Sequence, residues 1–87
     1  MRFVVRGQVQ GVGFRAATRR AAQSLGLRGW VRNQADGSVL TIAVGEAEAM
    51  QQFEAWLKRG PLAARVDAVS SSDVELADLP SEFEIAR

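Results

Sequence analysis

The sequence predicts an α+β fold, with two helices against one face of an antiparallel sheet, in the order β-α-β-β-α-β plus a short extra strand at the end. Three observations predict it. The hydrophobic spacing switches between a period of two and a period of 3.6 along the chain. Breaks containing glycine or proline separate the periodic stretches. A length of 87 residues fits one domain, residues 1–87, with a modest core and two layers of secondary structure.

Each element has its own signal. From Arg2 to Val9, Phe3, Val5 and Val9 alternate with more polar positions, as in a strand. Gly7, Gly11 and Gly13 then make a flexible exit. From Phe14 the period changes: Phe14, Ala17, Thr18, Ala21, Ala22 and Leu25 recur on one helical face. Arg15, Arg19, Arg20 and Gln23 fall largely off that face, and Gly26 ends the helix. Leu27 to Asn33 is a second strand, and Gln34-Ala35-Asp36-Gly37 carries the Asp-Gly hairpin signal. Ser38 to Val44 is a third strand, apolar on both faces, which points to a central companion in the sheet.

Gly45 breaks that strand. Glu46 to Arg59 is a second helix with Met50, Phe53 and Leu57 on its apolar stripe. Acids occupy its first turn and Lys58-Arg59 its last, as the helix dipole prefers. Gly60-Pro61 stops it. Arg65 to Val74 is a fourth strand, Asp78 to Glu82 a loop around Pro80, and Phe83-Glu84-Ile85 a short final strand. This order is the ferredoxin-like split βαβ arrangement. It hosts many functions, so chemistry has to be read from particular residues.

Composition narrows the chemistry. With no cysteine and no histidine, thiolate chemistry, imidazole bases and imidazole ligation of zinc are excluded. Catalysis has to use carboxylates, amides, hydroxyls, arginines or backbone groups. Met1 to Arg6 is too short and too charged for a signal peptide. No apolar run approaches the roughly 20 residues of a membrane span. The expected compartment is the cytoplasm, with no membrane contact. Charge is unevenly spread. Arg2, Arg6, Arg15, Arg19, Arg20, Arg28 and Arg32 precede Asp36 with no acid among them, and all ten acids follow from Asp36 onward. Such asymmetry suggests an anionic ligand for the first part, or simply a solvated basic face.

Two segments carry chemistry. The first is Gly7-Gln8-Val9-Gln10-Gly11-Val12-Gly13-Phe14-Arg15, a glycine-rich turn from strand into helix. Glycines let successive N–H groups converge, and a helix start adds unpaired N–H groups and a positive dipole end. No Ser, Thr, Asp or Asn stands just before Phe14 to cap those groups. Arg15 sits in the first turn, where the dipole disfavours a cation. A bound phosphate would resolve both oddities, whereas a plain connection with an exposed arginine would leave them. The run lacks the Gly-Lys-Ser/Thr ending of a nucleotide loop and the third glycine of a dinucleotide loop. The second segment runs from Gly29 through Trp30-Val31-Arg32-Asn33 to Gly37-Ser38-Val39. Asn33 closes a strand before a turn, where asparagine serves turn geometry. Its amide also joins an acceptor to donors on one rigid group, which could hold a water beside a phosphoryl oxygen.

Together these segments resemble the two signature motifs of the acylphosphatase family. The first is similar to its phosphate loop ending in Phe14-Arg15, and the second to its Gly-Trp-Val-basic-Asn motif followed by Gly37, Val39 and Gly45. The resemblance spans the whole chain, including Leu25-Gly26-Leu27, Gly60-Pro61 and Phe83-x-Ile85. It implies hydrolysis of the carboxyl–phosphate bond of acyl phosphates. By it, Arg15 is the phosphate-binding arginine and Asn33 the water-orienting asparagine. The backbone at Gln10, Gly11, Val12, Gly13 and Phe14 is the phosphate cradle. Thr18 falls where the family often carries a hydroxyl near the site, although it also lies on the apolar helix face. Gln34 and Leu40 depart from the family pattern without touching the central pair. The resemblance implies no metal and no cofactor, a monomer, and inorganic phosphate or sulfate as a competing ligand. The alternatives are a phosphate-binding module without turnover, an RNA-binding module of the same layout, and a stand-alone relative of the acylphosphatase-like domain that begins a hydrogenase maturation protein, against which the absence of cysteine pairs argues. The second needs aromatics on the central strands, and Ser38 to Val44 has none, so no nucleic-acid partner is expected.

Overall fold

The computed structural model describes residues 1–75 and 78–86. Strand β1 (Arg2–Gln8) leads to helix α1 (Phe14–Ser24), then β2 (Arg28–Asn33), β3 (Val39–Val44), α2 (Ala47–Arg59), β4 (Arg65–Ser72) and β5 (Phe83–Ile85). The sheet order is β4-β1-β3-β2-β5. The first four strands pair antiparallel, with Val4 opposite Leu40 and Ser70, and Trp30 opposite Ile42. The predicted element order is therefore present throughout.

Two expectations need correction. β4 stops at Ser72 and does not reach Val74, because Ser72 pairs with Arg2, the first residue of β1. Beyond it the partner strand has ended and there is no ladder to continue. β5 also makes the sheet mixed, since it pairs parallel with β2, Gly29 opposite Phe83 and Val31 opposite Ile85. β4 and β5 thus occupy opposite edges, so the last strand does not extend a hairpin.

The alternation of β1, β2 and β3 sends Phe3, Val5, Val31, Val39 and Ala43 to the helix side, where they bury against Phe14, Met50, Phe53 and Leu57. Phe53 is the hub, with its ring edge-on to Phe3 at 5.8 Å and to Phe83 at 5.9 Å. Fully burying each such side chain contributes about 1.5–3 kcal/mol, and edge-on aromatic pairs add to that. The hub ties β5 to the core through Phe83. On the other face, Val4, Leu40 and Ile42 are also buried, and the Arg32 guanidinium lies over the Trp30 ring at 5.0 Å. Among the described residues, no helix is long and apolar enough to cross a membrane.

Candidate active site

The connection between β1 and α1 is shaped by its glycines. Gly11 and Gly13 both sit at φ 76°, and no other residue type in the described chain has positive φ. The sign of φ therefore alternates from Gln10 to Phe14, the pattern that turns successive N–H groups toward one concavity. Gly13 is the N-cap of α1 and supplies no side-chain hydrogen bond. The first intrahelical bond is donated by the Ala17 N–H to the Gly13 carbonyl at 3.0 Å. The N–H groups of Phe14, Arg15 and Ala16 thus precede the helical ladder, as at every helix start. No acid stands in the first turn.

These groups border a cavity of about 220 Å³. Gly11, Gly13, Phe14, Arg15 and Ala16 form one side, while Val9, Asn33 and Ile85 complete it. An adjoining, wider mouth of about 580 Å³ is lined by Arg15, Asn33, Ile85 and Ala86. The topology accounts for this meeting. α1 begins where β1 ends, and β2 runs antiparallel to β3, so Asn33 lies at the end of β2 nearest the start of α1. The Asn33 Oδ1 is buried and has no hydrogen-bond partner in the protein. A buried acceptor of this kind costs about 1–3 kcal/mol unless a donor reaches it. Arg15 is exposed and forms no ion pair among the described residues.

The cavity thus gathers Arg15, Asn33 and the backbone of the glycine loop. Thr18 is outside it: fully buried, with its hydroxyl donating to the Phe14 carbonyl at 2.8 Å inside the helix. The Gln10 side chain is directed elsewhere, to the β2–β3 turn. Sequence reasoning missed Ile85 and Ala86 as cavity walls. The Phe83-x-Ile85 pattern signals a strand, but its parallel place beside β2 has no local signal. Among the described residues no three His, Cys, Asp or Glu side chains form a group that could hold a metal.

Comparison with known proteins decides the family. The acylphosphatase family model matches residues 1–85. The chain belongs to the acylphosphatase family. It is 59% identical to the acylphosphatase of Xanthomonas euvesicatoria pv. vesicatoria over 69 residues, 79% of this chain and 78% of that one. It is 48% identical to that of Nitrosococcus oceani over 79 residues, 91% of this chain and 89% of the relative. The solved acylphosphatase of Coxiella burnetii superposes with a TM-score of 0.91 at 36% identity, over 98% of this chain and 88% of that one. The ferredoxin-like α+β fold of this acylphosphatase-family chain is therefore shared with a solved member.

Proposed function

We propose that this chain hydrolyses acyl phosphates to a carboxylate and inorganic phosphate. The observation that carries the reading is one cavity lined by Arg15, by an uncapped helix start and by Asn33. Family membership supports the same reaction. Phosphoryl transfer needs mostly positioning and neutralisation of charge on the equatorial oxygens. Arg15 supplies a two-pronged cation for two of them. The N–H groups from Gln10 to Phe14 supply further donors held in place before reaction. Asn33 positions a water for attack in line with the leaving carboxylate. The water oxygen bonds to phosphorus and the bond to the acyl oxygen breaks. The carboxylate leaves with the electron pair, and a phosphate oxygen takes the water proton. Because the carboxylate is a good leaving group, no side-chain acid is required. Thr18 has no part in this scheme.

The deciding assay is phosphate release from benzoyl phosphate, with and without a chelator. Equal turnover in both supports the metal-free reading that the family resemblance implies. A chain that binds phosphate but releases none would instead be a binding module. The proposal includes inorganic phosphate and sulfate as competing ligands and a cytoplasmic monomer, for which size-exclusion chromatography is the check of oligomeric state.

A further inference from the structure

The geometry points to Gln10 as a positioning residue whose side chain sets the separation between the phosphate cradle and Asn33. This inference rests on the reading of Arg15 and Asn33 given above. Gln10 opens the glycine loop, between Val9 and Gly11, which both line the cavity. Its Nε2 donates to the Gln34 carbonyl at 2.8 Å and to the Ser38 carbonyl at 2.9 Å. Those carbonyls belong to the two ends of the β2–β3 turn, and Gln34 directly follows Asn33. Each also accepts from within the turn: Ser38 from the Gln34 N–H at 2.8 Å, and Gln34 from the Gly37 N–H at 3.1 Å. A carbonyl oxygen has two lone pairs and a side-chain amide two N–H donors, so Gln10 fills the one acceptor site left on each. Both partners being acceptors also fixes which end of the Gln10 amide faces them.

Besides Gln10, the loop is held by Val12, which packs against the core. Gln10, Gly11 and Gly13 are exposed, and a Cβ added at Gly11 or Gly13 would meet no atom within 4 Å. Among the described residues, the two Gln10 bonds are the only side-chain hydrogen bonds from residues 10–13 to the rest of the chain. The turn they grip is itself braced. Gln34 Nε2 donates to the Ser38 hydroxyl at 2.9 Å, and that hydroxyl donates to Asp36 Oδ1 at 2.6 Å. The departure of Gln34 from the family pattern thus acquires a place, as one strut of the anchor. The clamp spans the two elements that must hold phosphoryl group and water in register, and misplacement by about 1 Å can cost roughly 10²-fold in rate.

The test compares the wild type with Gln10→Met, which keeps the length but loses both donors, and with Gln10→Ala. Turnover of benzoyl phosphate, inhibition by inorganic phosphate and melting temperature are read on the same samples, below every melting point. Turnover is expected to fall roughly 10–100-fold in both variants, with phosphate inhibition changed by less than about threefold. Arg15 and the cradle N–H groups remain attached to the same helix start, and only their register with Asn33 is lost. In an Asn33→Ala background the same Gln10→Met change should alter turnover less than about threefold, because no held water remains to be aligned. A purely structural role would lower melting temperature and leave that coupling absent. Wild-type turnover in Gln10→Met overturns the inference. So does a loss of phosphate affinity equal to the loss of turnover, which would make Gln10 part of the cradle. Absence of turnover in the wild type would instead overturn the acylphosphatase reading.

Discussion

Arg15, in the first turn of α1, and Asn33, the last residue of β2, line the same cavity and the same mouth. The two elements reach that point by different routes, a helix start without a cap and a strand end before a hairpin. The proposed division of labour, anion on one element and water on the other, makes the two side chains separable by experiment.

Arg15→Lys keeps a charge but not the fork of donors, and Arg15→Ala removes both. Either should raise the phosphate inhibition constant strongly. Tight phosphate binding by Arg15→Lys would show that charge alone suffices. In the absence of ligand Arg15→Ala should melt no lower than the wild type, since a cation at a helix start costs about 0.3–1 kcal/mol.

Asn33→Ala should lower turnover by roughly 10²–10³ with phosphate inhibition nearly intact. An interaction made only toward the transition state lowers turnover and kcat/KM together. Asn33→Asp should be as poor, because its charge repels the phosphate. If Asn33 only shaped the turn, a folded Asn33→Ala would keep near-wild-type turnover and lose melting temperature.

Phosphate and sulfate should stabilise the fold. A ligand that binds only the folded chain adds about 2.7 kcal/mol at 100 times its dissociation constant. Melting in phosphate against chloride at equal ionic strength measures this, and identical curves would argue against the anion cradle.

Asp36, in the turn that Gln10 grips, gives a pH signature in stability. Its carboxylate accepts from the Ser38 hydroxyl and N–H and from Arg6 Nη1 at 3.1 Å. The Ser38 hydroxyl above all, then the Ser38 N–H and Arg6, lower its pKa from 3.8 to about 2. A carboxyl lowered on folding stabilises fully above its unfolded value, and that contribution fades as pH falls toward the folded one. The melting-temperature gap between wild type and Asp36→Asn should therefore be constant above about pH 5 and close as the pH approaches 2. A gap unchanged across that window would mean the turn does not depend on the ionised carboxylate.

Gly29 tests the sheet. Its φ is 141°, and an added Cβ would run into the Ile42 carbonyl on the central strand β3. At Gly37, φ is 91° but the space is open. Gly37→Ala should cost about 1–2 kcal/mol of backbone strain, whereas Gly29→Ala should cost several times that and leave little folded protein. Circular dichroism melting of the pair discriminates the two, and similar melting temperatures would refute the close strand approach.

Periodicity made the element order legible because each element carries its own local pattern. Phe3, Phe14, Phe53 and Leu57 are core residues in the sequence pattern and in the fold alike. The glycine loop and Arg15 stood out because each breaks a local rule, a missing cap and a misplaced cation, whereas Asn33, ordinary before a turn, stood out only through the resemblance to the family motif. What stayed hidden depends on contacts distant in sequence. The parallel place of β5 puts Ile85 on the cavity, and the end of β4 is decided by where β1 starts. Thr18 could be read from sequence as packing or as site, and only the direction of its hydroxyl, into its own helix, separates the two.

The strand order has a consequence for how the molecule is made. β1 takes β3 on one side and β4 on the other, with Arg2 beside both Ile42 and Ser72. Closing that edge requires loops of tens of residues, whose entropy is lost before the pairing repays it. Such mixed topologies fold more slowly than helical bundles of their size and faster than all-β sandwiches. During synthesis, at about 5–20 residues per second, the first strand is exposed on one side for several seconds before β4 exists to cover it. The charged residues of β1, Arg2 and Arg6, are then its protection against pairing with a neighbouring chain.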